Sequence, residues 1–157
     1  MKSKVYIETS VISYLTARLS RDLIIAGHQQ ITQEWWEFRR KNFGLYISQL
    51  VVNEAGRGDK EAAEKRLSLL KDIPLLQFND KVTDFAQKIV SDKIIPEKAA
   101  EDAVHIAVAT VHKIDYLITW NCSHIANAEL RRKISKLGAE CGYEISVICT
   151  PEELMGE

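Results

Sequence analysis

Glycine and proline are scarce in this chain, at seven and three of 157 residues, so long flexible linkers are not expected. There is no internal repeat and no low-complexity segment. The three cysteines, Cys122, Cys141 and Cys149, are odd in number and lack paired spacing, which argues against a disulfide framework. A zinc site built on Cys122 and His124 would need two more soft ligands at sensible spacing, and none presents itself. No apolar run approaches the roughly 18 residues that span a bilayer. No apolar stretch of a secretory leader follows Lys2 and Lys4. These absences lead us to expect a soluble domain in a reducing cytoplasm. An excess of one charge is missing too: 21 basic residues face 22 acidic ones, for a net charge of −1. Any nucleic-acid contact must then be local. The basic stretches Arg39–Arg40–Lys41 and Arg131–Arg132–Lys133 with Lys136 read most simply as solvated helix faces. No glycine-rich loop follows the first strand, so phosphate-loop and dinucleotide fingerprints are absent.

What remains is an ordinary globular composition, 46% hydrophobic and 27% charged, at a length that fits one domain spanning 1–157. Its periodicities alternate. Val5 to Ile7 predicts a strand ending at Glu8, with Thr9 or Ser10 capping the next helix. A helix is expected over about 21–42, stopped by Gly44, with Trp35, Trp36 and Phe38 in the core or at a subunit interface. Leu45 to Ser48 reads as a buried strand. A helix carrying Glu54 follows and is broken by Gly56 and Gly58. Asp59 caps a helix through Leu70. A strand from Ile73 to Phe78 precedes a helix capped by Asn79 or Asp80, with Val82, Phe85, Ala86 and Ile89 at helical spacing. Pro96 breaks the chain before an apolar helix from about Glu97 to His112. Tyr116 to Thr119 is a strand, Glu129 to about Leu137 a charged helix, and Glu144 to Cys149 the last strand. Pro151 opens a terminal helix. This alternation predicts an α/β fold: a three-layer α/β/α domain around a mostly parallel sheet. In such sheets ligands sit beyond the carboxyl ends of the strands, near a topological switch.

Four polar residues fall at such places. Glu8 lies in VYIETSVISYL, Glu54 in YISQLVVNEAGRG, Asp102 in KAAEDAVHIAVA and Asn121 in DYLITWNCSHI. Each alone has an ordinary explanation: a first-turn acid, an exposed helix residue, a dipole-facing acid, a turn residue. Asp102 is the sharpest, because its helix is otherwise nearly all apolar and therefore buried. It shares a face with His105, and Glu101 is its competitor. Carboxylates gathered from separate segments are costly unless a cation sits among them, and Mg²⁺ or Mn²⁺ is the usual one. Glu8, Glu54 and Asp102 are thus candidate metal ligands, and together with Asn121 the candidate catalytic set.

In order and spacing these segments resemble a PIN domain, within it the VapC-like group of toxin ribonucleases. The resemblance covers essentially the whole chain. It rests on YIETSVISYL for the family's opening Asp-x-Ser turn, ISQLVVNEAGRG for its second acidic helix, EDAVHIAVA for its third acidic motif, and LITWNCSHIAN for its last strand-turn. Glu8 stands where the family usually has Asp, and Asn121 stands where it often has Asp. A glutamate still offers a hard oxygen at a shifted position; an asparagine offers a neutral carbonyl. The resemblance implies a PIN-like fold and Mg²⁺- or Mn²⁺-dependent endoribonuclease activity leaving 5′-phosphate and 3′-hydroxyl ends. It also implies an RNA substrate, a homodimer and a small antitoxin partner.

Ser10 and Thr119 are candidates to hydrogen-bond ligands or waters, although capping and a strand-end turn explain them as well. His105 and His124 are candidates to touch a phosphate, against the plainer reading of histidines satisfied inside the structure. Arg57 either contacts substrate or pairs with a neighbouring acid. Trp120 either stacks on a base or packs in the core. The competing function is a PIN-like module that binds RNA or protein without catalysis, which Asn121 and the balanced charge favour. A dehalogenase-like phosphatase would need Asp-x-Asp after the first strand, where this chain has Glu8-Thr9-Ser10.

Overall fold

In the computed structural model, which describes residues 1–156, five strands form one sheet. They are β1 (Ser3–Ile7), β2 (Phe43–Ser48), β3 (Leu75–Leu76), β4 (Tyr116–Ile118) and β5 (Val147–Cys149). Their spatial order is β3-β2-β1-β4-β5, and every pairing is parallel. Seven α-helices connect them among the described residues: α1 (Thr9–Thr16), α2 (Leu23–Glu34), α3 (Gln49–Ala55), α4 (Lys60–Leu70), α5 (Asp80–Ser91), α6 (Ala100–Val111) and α7 (Ala128–Glu140). Helix α1 packs on α2, α3 and α4, and α5 packs on α6. Parallel crossovers are right-handed almost without exception, so connections leading toward β3 and those leading toward β5 fall on opposite faces of the sheet, giving the three-layer α/β/α domain expected. None of the described helices is long and apolar enough to cross a membrane.

Burial on both faces explains why the central strand is a continuous apolar run rather than an alternating one. Val5, Tyr6 and Ile7 of β1 are all inaccessible to solvent. The connections from β1 lead toward β2 and β3, whereas β4 lies on its other side and leads to β5. The carboxyl ends of β1 and β4 therefore flank the switch point, where neighbouring connections leave in opposite directions and open a crevice.

Local outcomes depart from expectation at several places. The predicted helix over 21–42 is α2 followed by a π-helical turn (Trp35–Arg39) and a 3-10 turn (Arg40–Asn42). Asp22 caps α2 by accepting from the amides of Ile24 and Ile25. Gly44 does not end the helix; it lies inside β2. Of the three aromatics there, Trp35 is fully buried against Phe43, and Phe38 is exposed. The predicted strand at 73–78 is reduced to two residues; Pro74 accepts the Ile47 amide through its carbonyl at 3.0 Å but has no amide to extend the ladder backward. Asp59 and Asn79 cap α4 and α5 as their spacing predicts. The apolar stretch after Pro96 begins as a 3-10 turn (Glu97–Ala99) before α6, and the chain closes in a 3-10 turn (Pro151–Leu154) behind a Thr150 capping box.

Candidate functional site

Strand register brings the first acid to the crevice. Ile7 pairs with Ile118, so the next position on each strand puts Glu8 beside Thr119, and the Glu8 amide donates to the Ile118 carbonyl at 3.1 Å. Glu8 is the extended N-cap of α1, and its side chain does not cap the helix. Neither Thr9 nor Ser10 is the cap residue; both lie inside α1, and their hydroxyls serve the two glutamates instead. Ser10 Oγ donates to Glu8 Oε1, and Thr119 Oγ1 donates to the same oxygen at 2.5 Å. Thr9 Oγ1 donates to Glu54 Oε1 at 2.6 Å. Glu54 rides on α3, which leaves the carboxyl end of β2 immediately after Ser48.

The second layer of the site comes from α6, across the sheet edge. His105 is fully buried, and its Nε2 lies 2.6 Å from Glu54 Oε1. An ionised carboxylate only accepts, so this nitrogen carries the proton. The other ring nitrogen, Nδ1, is 2.7 Å from the Tyr6 hydroxyl, which also lies 2.8 Å from Ser48 Oγ. A continuous chain thus runs from Ser48 through Tyr6 and His105 to Glu54 and Thr9. Burial opposes charge on His105, but the carboxylates of Glu54, Glu8 and Asp102 outweigh it and raise its pKa above the ordinary histidine value. Burial likewise opposes charge on Glu54, and the bonds from His105 and Thr9 with the charges of His105 and Arg57 hold it below the ordinary glutamate value. Tyr6 is pushed upward by burial, opposed by its bond to Ser48 and reinforced by Glu8 and Glu54, and stays a neutral hydroxyl.

Among the described residues, Glu8, Glu54 and His105 form a set whose ligand-type atoms all lie within 4.8 Å of one another. Asp102 does not join that set. It sits in the first turn of α6, on the rim, with its Oδ2 3.2 Å from His124 Nδ1. Asn121 does not aim at the cluster either: its Oδ1 accepts the amide of His124 at 3.1 Å and closes a turn. Thr119 accepts the Asn121 amide at 2.9 Å while donating to Glu8. The last strand-turn therefore serves the site through Thr119 and, by way of Asp102, through His124. Trp120 is a packing residue, stacked on His28 at 4.1 Å and donating from Nε1 to Thr32 Oγ1 at 2.7 Å.

Two features bear on cation binding. Each glutamate has Oε1 held by two donors, while among the described residues no protein hydrogen bond reaches either Oε2. Glu8 is also 5% exposed, and its hydrogen-bond partners are hydroxyls, so the positive group nearest at hand is His105 and among the described residues no lysine or arginine pairs with it. Two hard oxygens in this state, with a third acid at the rim, fit Mg²⁺ or Mn²⁺. His105 fits as the group that fixes Glu54, since its facing nitrogen is protonated.

Tyr6 is the member of this hydrogen-bonded chain that the sequence reading does not single out. A tyrosine in an otherwise aliphatic central strand is the signal that finds it, because a buried phenol needs a partner. Fold and site together define a doubly wound parallel α/β protein with a carboxylate–histidine cluster at its switch point. Neither a family model nor a curated protein matches the chain.

Proposed function

We propose that this protein is a Mg²⁺- or Mn²⁺-dependent endoribonuclease of the PIN-like, VapC type, hydrolysing RNA phosphodiester bonds at the Glu8–Glu54 cluster. The observation that carries the reading is the pair of clamped glutamates at the switch point, each with one oxygen free of protein partners. Glu8 and Glu54 would hold a divalent ion, which would supply an acidified water and positive charge for the phosphate oxygens. The remaining work falls to the chain. Thr9 and His105 hold Glu54 in a fixed rotamer, and Ser10 with Thr119 does the same for Glu8, so that the oxygens need little reorganisation. Asp102, steadied by His124, takes the proton of the attacking water. The new bond forms from water to phosphorus, the bond from phosphorus to the 3′ oxygen breaks, and that oxygen leaves with a solvent proton. The products carry 5′-phosphate and 3′-hydroxyl ends. The PIN-like reading extends to a homodimer and a small antitoxin as partners.

The test is incubation of a generic single-stranded RNA with Mg²⁺, Mn²⁺ or chelator. Cleavage with metal, lost with chelator and with Asp102→Asn, supports the reading. Cleavage that survives Asp102→Asn removes Asp102 from the site.

One observation favours a second reading, an RNA- or protein-binding module without catalysis. Asn121 is neutral and already occupied with its own turn, so the fourth position contributes no carboxylate. Folded protein that neither binds Mn²⁺ nor cleaves RNA would favour that module.

A further inference from the structure

The α3–α4 turn carries a guanidinium to the edge of this site. Arg57 follows three residues after Glu54, and its amide donates back to the Glu54 carbonyl at 3.2 Å. The turn is pinned from behind by Arg66, whose Nε donates to the Ala55 carbonyl at 2.8 Å and whose Nη2 donates to the Arg57 carbonyl at 2.6 Å. From this fixed base the Arg57 fork engages both oxygens of Glu101, at 3.1 and 2.9 Å. Glu101 precedes Asp102 on the first turn of α6.

Among the described residues, no lysine or arginine forms an ion pair with Glu8, Glu54 or Asp102. Arg57 is the cation that reaches this rim, close enough that its charge helps keep Glu54 ionised. Its partner is nevertheless an exposed one: the two side chains are 60% and 49% accessible. Exposed ion pairs of this kind contribute little net stability, so the contact is cheap to exchange. The planar fork that matches a carboxylate with two parallel bonds matches two phosphate oxygens equally well.

We propose that Arg57 is a substrate-binding residue that grips a backbone phosphate next to the scissile one, and that Glu101 holds the fork in the phosphate's place until RNA arrives. The inference rests on the nuclease reading for the identity of the ligand as RNA. Glu101 acts as an internal competitor: it keeps the fork ordered and lowers affinity for polyanions that do not also engage the acidic cluster. A protein with no overall basic excess can in this way bind nucleic acid locally.

The experiment measures binding of a short labelled single-stranded RNA by fluorescence anisotropy in Ca²⁺ across a salt series, with cleavage in Mg²⁺ or Mn²⁺ measured separately. Arg57→Ala should weaken binding about tenfold or more and make the log-affinity against log-salt slope shallower by about 0.7. Glu101→Gln should tighten binding about fivefold with the slope retained. Thermal melts of both variants verify that the fold persists. Unchanged binding in Arg57→Ala, or equal weakening in both variants, would overturn the proposal and leave the pair as a structural tie. Arg57-dependent binding without cleavage by the wild type removes the hydrolase reading alone. Cleavage without Arg57 dependence removes this inference alone. Wild-type protein that neither binds nor cleaves RNA removes both.

Discussion

His105 Nε2 lies 2.6 Å from Glu54 Oε1, so a histidine sealed from solvent is anchored to a carboxylate that still reaches the crevice. This contact joins the buried layer of the site to its working edge. Neither partner is placed by its own helix alone; α3 and α6 must both be docked for the bond to exist.

The pH dependence of metal-free stability follows from that pair. His105 has a raised pKa in the folded state, so its contribution is fully present below the unfolded value and is lost as pH rises through the folded one. Glu54 has a lowered pKa, so its contribution is present above its unfolded value and is lost as pH falls through the folded one. Stability in chelator should therefore peak between these two transitions. His105→Gln should lose the alkaline decline, read as melting temperature against pH. An unchanged profile in that variant would contradict the charged pair.

Tyr6→Phe removes the hydroxyl shared between His105 Nδ1 and Ser48 Oγ. Both partners are buried, so the cost should be about 2 kcal/mol, measured by urea denaturation. A neutral result would mean the two groups find other partners.

Glu8→Gln removes a charge that faces both His105 and the proposed cation. Glu8 is a buried carboxylate bonded by hydroxyls alone, and its charge helps keep the nearby His105 protonated. In chelator, at a pH where His105 is charged, the variant should therefore melt at a lower temperature than the wild type. Adding Mn²⁺ should stabilise the wild type and leave this variant unmoved. A gain of stability in chelator would show that His105 carries no charge beside Glu8.

Much of this architecture was legible in sequence. The parallel α/β class followed from the alternation of elements, and the caps at Asp59 and Asn79 followed from spacing. The position of Glu8 was readable because a strand end followed by a helix has few geometries. The role of His105 was not. Helical spacing puts Asp102 and His105 on one face, but it does not say which of them reaches the carboxylates. Docking of α6 against β1 decides this, driving His105 inward between Tyr6 and Glu54 and leaving Asp102 at the rim with His124. Gly44 ends no helix for a related reason: glycine often does so, but here the π-helical turn at 35–39 takes the chain out of α2 before the strand begins.

Trp120 tests the packing half of the account. Its ring is stacked on His28 and its Nε1 donates to Thr32, so Trp120→Ala should cost about 3 to 5 kcal/mol in stability. Trp120→Phe should keep RNA affinity while losing about 1 kcal/mol from the missing bond. Selective loss of RNA binding in Trp120→Phe, with stability intact, would mean that the indole faces substrate.

The central claim is that Glu8 and Glu54 share a divalent cation. Isothermal titration of Mn²⁺ into the folded protein tests it most directly. The account predicts binding by the wild type, abolished by Glu8→Gln and by Glu54→Gln, and weakened to a lesser extent by Asp102→Asn. Wild-type protein that takes up no Mn²⁺, or binding that both glutamine variants retain in full, would contradict it.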